Sequence, residues 1–277
     1  MTQKPENDGS VRFFYGTAFG RCLLKLVQKL HLDRAAVWYL RSSLSQPYIA
    51  RFVRKNGIPL SREELGRFRS YQEFFIRERA PRAVDGDPTH LVSPCDGWLS
   101  AYPVSEGCAF AIKGSYYRVE DLLNDPALAD RYRGGLCLSF RLCASDYHHY
   151  SFIDDGVQGK NHCIEGQLHS VQPIACEHYP VFTLNRRSWC RMDTANFGPV
   201  VETEIGALIV GGIVNRLEEG PFRRGEEKGR FDLSGSTIVL LFEPDRVRLR
   251  PELAERLIDG QEARVEQGMW IGTAVSP

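Results

Sequence analysis

The chain has 277 residues, 43% of them hydrophobic and 11% aromatic, enough to bury a substantial core in one large domain or one domain with an appendage. Lysine plus arginine equal aspartate plus glutamate at 35 each, so there is no global electrostatic case for nucleic acid as a partner. No window holds the roughly 18–20 apolar residues that span a bilayer, the start MTQKPENDGS does not read as a signal peptide, and eight scattered cysteines without metal-ligand spacing argue against a disulfide framework or a zinc site.

The first predicted element is a helix over residues 18–30. There Phe19, Leu23, Leu24, Leu26, Val27 and Leu30 recur near helical spacing, with Arg21, Lys25 and Lys29 interleaved on the other face. This helix lies in a basic stretch: from Val11 to Lys55, nine lysines and arginines face a single acid, Asp33, for a net charge of about +8, an asymmetry that suits an anionic surface. A second helix is expected over 34–54, and a third begins at Ser61, where Ser61 and Glu64 have capping-box spacing. Past Pro81 the texture changes to short runs rich in β-branched and aromatic residues between turn formers. Strands are expected over 97–102, 109–117, 136–142, 167–171, 188–193, 200–214, 237–242 and 268–273, with one short helix near 119–123. The fold expected is α+β: a helical N-terminal region, residues 1–80, associating with a membrane and packed on a β-rich, mainly antiparallel catalytic domain, residues 81–277.

The sharpest local signal is Gly229-Arg-Phe231-Asp-Leu-Ser-Gly235-Ser236-Thr237, which runs into the apolar stretch ending at Phe242. Alone, Gly-Ser-Thr is an ordinary turn tripeptide. Four further segments accompany it. They are Tyr71-Gln-Glu-Phe74-Phe75-Ile-Arg77 before Ala80-Pro-Arg82; Ser93-Pro94-Cys-Asp96-Gly97, followed by Ile112-Lys113-Gly114 and Leu122-Leu123; Arg141-Leu142-x-x-x-Asp146-Tyr147-His148; and Phe197-Gly198 with Glu204-Ile-Gly206-Ala207 and Val210-Gly211-Gly-Ile213. In this order and spacing they resemble the phosphatidylserine decarboxylase proenzymes, over nearly the whole chain. The subgroup most similar has one extra residue before Gly-Ser-Thr, a place usually filled by glycine and here by Ser234.

The resemblance implies self-cleavage between Gly235 and Ser236. The serine hydroxyl attacks the preceding carbonyl, exchanging amide for ester once a base takes its proton, and the small Gly235 permits the strained turn. Elimination frees the upstream chain, and the dehydroalanine left behind tautomerises and is hydrolysed by water, releasing ammonia and leaving a pyruvoyl ketone where Ser236 stood. That ketone does the work of pyridoxal phosphate, condensing with the substrate amine and accepting the electron pair released with carbon dioxide. No metal and no pyridoxal phosphate are then required. A histidine near neutral pKa suits the proton donor that quenches the carbanion.

By motif position, Asp96 is the family's charge-relay aspartate; its plain alternative is an Asx-turn residue before Gly97. His148 matches the first histidine of the family pattern Asp-Tyr-His-Arg-Phe-His. The chain departs from that pattern next, reading Asp146-Tyr147-His148-His149-Tyr150-Ser151. Ser151 thus stands where the histidine that activates the serine is expected. For that base His148, His149, His169 and His178 are alternatives, and Thr237 is an auxiliary candidate. Glu226 and Glu227 read as a solvated loop.

The partners implied are phosphatidylserine, an anionic membrane surface at the cytoplasmic face, to which the protein binds peripherally, and the chain's own cleaved C-terminal piece. A homodimer is also admitted. Two other readings stand beside this one: a pyruvoyl decarboxylase of a soluble amino acid, to which Ser151 lends weight, and a non-catalytic carrier-like binding module, suggested by the glycine-rich strands of 200–214 but lacking a suitably flanked carrier lysine.

Overall fold

The computed structural model describes residues 9–30, 32–80, 82–112, 115–167, 169–207, 212–233, 236–258 and 260–275. Gly235 and Ser234 lie outside these, as do His31, Lys113, Gly114, Val210 and Gly211.

Helices come first: α1 (Gly9–Gly16), α2 (Ala18–Lys29), α3 (Leu32–Arg41), α4 (Gln46–Asn56), α5 (Arg62–Arg67) and α6 (Tyr71–Phe75). The helix expected over 34–54 is split, because Pro47 has no N–H to give and its ring crowds the preceding turn, so the chain passes through a 3-10 turn at Ser43–Ser45 before α4. The capping box at Ser61 forms: the Glu64 amide donates to the Ser61 hydroxyl at 3.2 Å and the Ser61 amide to Glu64 at 2.8 Å. Ile49, Phe52, Val53, Tyr71, Phe74 and Phe75 make a separate apolar cluster, and Leu233, three residues before Ser236, packs into it.

The strands follow in chain order: β1 (His90–Val92), β2 (Gly97–Pro103), β3 (Ala109–Ile112), β4 (Ser115–Arg118), β5 (Leu136–Leu142), β6 (His149–Ser151), β7 (Gly156–Gln158), β8 (His162–Ile164), β9 (Arg187–Thr194), β10 (Gly198–Ile205), β11 (Ile213–Asn215), β12 (Gly220–Phe222), β13 (Glu227–Phe231), β14 (Ser236–Phe242), β15 (Val247–Leu249), β16 (Ala263–Val265) and β17 (Trp270–Ala274). A nine-stranded sheet runs β12-β7-β9-β10-β14-β5-β2-β16, with β8 also on β9; smaller sheets are β11-β13-β6, β1-β17-β15 and the hairpin β3-β4. All of these strand pairs are antiparallel. The α+β class expected from the sequence is the one observed.

Strand β14 is central. Its side chains alternate between two cores: Val239 and Leu241 join one, Ile238, Leu240 and Phe242 the other. Both faces are covered, which is why the run is apolar throughout and 0% exposed from Ile238 to Phe242. Each such side chain contributes about 1.5–3 kcal/mol against exposure.

Three strand expectations fail, the first being 109–117, which is the antiparallel hairpin of β3 and β4 and not one strand. The stretch 200–214 serves two sheets, β10 in the large one and β11 in a small one. Residues 167–171 form no strand among the described residues beyond a single bridge from Gln167 to Asn185. There the Asn185 side chain takes the backbone groups that a neighbouring strand would have used, accepting from the His169 amide at 2.9 Å and donating to its carbonyl at 2.8 Å. The eight cysteines are not joined in disulfides, and no described helix is long and apolar enough to cross a membrane.

Candidate active site

Ser236 opens β14, paired with Leu142 of β5, and is 1% exposed. It shares its face with Ile238 and so points toward the small sheet β11-β13-β6. His148 precedes β6 by one residue, and its carbonyl accepts from the Phe231 amide of β13 at 3.0 Å. The imidazole Nδ1 lies 3.1 Å from the Ser236 hydroxyl oxygen, and Nε2 lies 3.0 Å from the Cys143 carbonyl. A carbonyl only accepts, so Nε2 carries the proton and the Nδ1 lone pair faces Ser236.

The Asp146 carboxylate holds that carbonyl in place. It accepts from the Cys143 amide at 2.7 Å and from Arg264 at 2.7 Å, while its own amide donates to the Cys143 carbonyl at 2.9 Å. The Arg-Leu-x-x-x-Asp-Tyr-His spacing is therefore a closed turn that aims one imidazole. Phe75 packs on the ring at 4.1 Å between centroids and Phe231 meets it edge-on at 6.3 Å. His148 is wholly buried. Burial lowers its pKa to about 3, opposed by the Cys143 hydrogen bond and assisted by the charge of Arg77. The ring is accordingly neutral at physiological pH and able to accept a proton.

Asp96 sits in the turn before β2, where Gly97 has no room for a side chain: a Cβ would lie 2.8 Å from the Arg141 carbonyl oxygen. The Asp96 carboxylate accepts from Arg79 at 2.5 Å, Arg82 at 2.9 Å and the Gln267 amide at 2.9 Å. Burial opposes its ionisation, but the Arg79 bond, the Gln267 amide and the two arginine charges outweigh that and hold its pKa below the usual range. Its hydrogen bonds go to these groups and not to His148. The structure thus joins His148 to Ser236 and gives Asp96 other partners.

Ser151 is turned from Ser236, both its amide and its hydroxyl meeting the Pro94 carbonyl, at 2.9 and 3.3 Å. His149 points the other way along the strand, to Glu227 at 2.9 Å and the Ile76 carbonyl at 3.1 Å, under the stacked ring of Tyr147. His169 lies between Tyr15 and Gln167, and His178 is exposed. Thr237 is 0% exposed, and its hydroxyl has no partner among the described residues.

Glu227 is not in a solvated loop, because it stands on β13 and pairs with His149 and Arg216. Its neighbour Lys228 has no signal in the sequence beyond its place in a run of charges, yet it is 0% exposed, like Glu202 and Glu204 of β10 beside it. Lys228 forms an ion pair with Glu204 and lies 3.8 Å from Glu202. Burial and the Glu204 charge raise the Glu202 pKa against the pull of Lys228, so one cation balances one carboxylate. Gly229 follows because a Cβ there would come 2.6 Å from the Tyr150 hydroxyl.

The family model for phosphatidylserine decarboxylase matches residues 71–272. The chain is 37% identical over 273 residues to phosphatidylserine decarboxylase proenzyme 2 of Clostridium acetobutylicum, covering 98% of this chain and 94% of that one. It is 35% identical to the phosphatidylserine decarboxylase proenzyme of Desulfitobacterium hafniense strain Y51 (98% and 93% covered) and 34% identical to that of Clostridium beijerinckii (96% and 92%). With matches of this extent, the chain belongs to the phosphatidylserine decarboxylase family.

Proposed function

We propose that this chain is a precursor that cleaves itself between Gly235 and Ser236 and then decarboxylates phosphatidylserine to phosphatidylethanolamine. The observation that carries the reading is the neutral, buried His148 with its Nδ1 lone pair 3.1 Å from the Ser236 hydroxyl. In this reading His148 takes the hydroxyl proton as the oxygen attacks the Gly235 carbonyl carbon, and returns it to the departing Ser236 nitrogen, leaving an ester. It then takes the Ser236 α-proton, which breaks the Cβ–O bond and releases Gly235 as a carboxylate. Asp96 would act at a distance, anchoring Arg79 and Arg82.

The residues around Ser236 fit a pyruvoyl group, since the position is buried, opens a strand and faces a base. Such a group supplies an electron sink for the pair released with carbon dioxide. His148 is assigned the proton delivered to the substrate carbon afterwards. The short chain, residues 236–277, would stay with the long one because β14 is hydrogen-bonded between β10 and β5, while β16 pairs with β2 and β17 with β1.

Lipid as substrate, not a soluble amino acid, is supported by the outer surface of the N-terminal helices. Phe19, Leu26, Leu30, Trp38 and Leu44 are 49–72% exposed there, interleaved with Arg21, Lys25, Lys29, Arg34 and Arg41. Residues 1–80 would lie on an anionic membrane as a peripheral layer, at the cytoplasmic face. Mass spectrometry of the purified protein tests the reading: the expected result is a chain ending at Gly235 and a blocked fragment of residues 236–277, with Ser236→Ala uncut and inactive. An uncut wild-type chain with full activity would overturn it.

A further inference from the structure

Arg77 differs from the other arginines near His148. Arg79 and Arg82 bind Asp96, Arg141 binds Glu262, and Arg264 binds Asp146. Arg77 has no carboxylate within ion-pair distance among the described residues. It donates one hydrogen bond, from Nη1 to the Phe74 carbonyl at 3.0 Å, and its guanidinium lies 4.4 Å over the Phe74 ring. A half-buried cation stacked on an apolar ring, with most of its donors unused, is a receptor for an anion.

Its surroundings are those of the site wall. Two residues earlier Phe75 packs on His148, Ile76 accepts from His149, and two residues later Arg79 lies 4.0 Å over the Tyr147 ring. On the other side, Phe74 and Phe75 belong to the apolar cluster of the N-terminal helices, whose outer surface carries exposed Trp38 and Leu44. Arg77 is thus placed along the chain between the layer that would meet lipid and the His148–Ser236 pair.

We propose that Arg77 binds the phosphodiester of the substrate headgroup, holding it between the membrane and residue 236. This rests on the decarboxylase reading above. The order of groups in the headgroup matches the order of residues: the amine must reach residue 236, and the phosphodiester trails toward the lipid. The substrate carboxylate is the poorer occupant. A guanidinium on it would stabilise a charge that must vanish as carbon dioxide leaves, favouring the ground state over the transition state.

The test uses processed enzyme, wild type, Arg77→Gln and Arg77→Lys, with two readouts. Titration calorimetry measures glycerophosphoethanolamine and, separately, ethanolamine, which lacks the phosphate. Steady-state kinetics use phosphatidylserine in mixed micelles. Arg77→Gln should weaken glycerophosphoethanolamine binding and raise KM by about tenfold to a hundredfold, as loss of a hydrogen bond to a charged group does, with kcat and ethanolamine binding unchanged. Arg77→Lys should recover part of this, and should carry the test by the same two readouts if the glutamine variant fails to self-cleave. Unchanged binding and KM in the variants would overturn the proposal, as would a raised KM with a raised kcat and unchanged glycerophosphoethanolamine binding, which points to the carboxylate. A wild-type enzyme that does not turn over phosphatidylserine would instead sink the decarboxylase reading, with the calorimetric comparison still judging Arg77.

Discussion

The Nδ1 atom of His148 accepts the hydroxyl of Ser236 at 3.1 Å, across 88 residues of sequence. Its other nitrogen is committed to the Cys143 carbonyl, so the ring has one tautomer and one hydroxyl facing its lone pair. His148→Ala should therefore accumulate the uncut chain, slowing self-cleavage by about 10²–10⁴-fold, the usual worth of a positioned base. A time course on denaturing gels reads this directly. Normal cleavage in that variant would mean another group activates the serine.

The lowered pKa of His148 carries a pH signature. A free imidazole would lose its basic form below pH 6.5, whereas this one stays neutral down to about 3. Cleavage followed from pH 8 to pH 5 should then keep its rate, and a decline centred near 6.5 would show that the ring is not held neutral.

The same burial affects stability. Between about 6.5 and 3 the unfolded chain takes up a proton that folded His148 refuses, so stability is full above 6.5 and falls as pH drops, by at most about 1.4 kcal/mol per unit. Asp96, whose pKa is lowered instead, adds its loss only as pH falls below about 4. Melting of the uncut Ser236→Ala protein should decline from pH 7 to 5, and the added change His148→Gln should reduce that slope. The lowered pKa of His169 accounts for a remainder.

Ser151→His, which restores the residue common in the family, should not speed cleavage. Ser151 is 3% exposed and its hydroxyl is bound to the Pro94 carbonyl, so an imidazole there displaces the turn carrying Asp96 and Gly97 before it could approach Ser236. Overpacking of this kind costs about 1–3 kcal/mol. Faster processing in Ser151→His, measured beside its melting temperature, would contradict this.

Lys228→Met should destabilise the fold by about 3–5 kcal/mol, because it takes away the buried ion-pair partner of Glu204. Adding Glu204→Gln to Lys228→Met should recover much of the loss in chemical denaturation, since the carboxylate it neutralises is the one that lost its partner.

Substituting Phe19, Leu26 and Trp38 together by serine should weaken binding to vesicles rich in anionic lipid. None of the three is buried, so folding should be spared. Wild-type binding should also fall as salt rises. Co-sedimentation that is the same for both proteins would exclude this face as the membrane contact.

Ser236 and a set of candidate histidines stand out in the sequence because the chemistry proposed for them is covalent and local: a Gly-Ser bond before an apolar strand, and a histidine at fixed spacing from Asp146. Helices α2 and α5 were legible through periodicity and a cap. The sequence by itself could not choose among His148, His149, His169 and His178, since the choice depends on strand register, with β14 placed on β5 so that Ser236 meets Leu142 and the turn at Asp146 aiming one ring at it. Nor could it separate Glu227 from Lys228. One lies at a half-exposed strand position and the other is sealed against Glu204, and only the packing of β13 over β10 removes water from one of two neighbouring charges. Sequence carries reactivity and periodicity within a few residues. Burial and pairing are settled by elements that meet only when the sheets close.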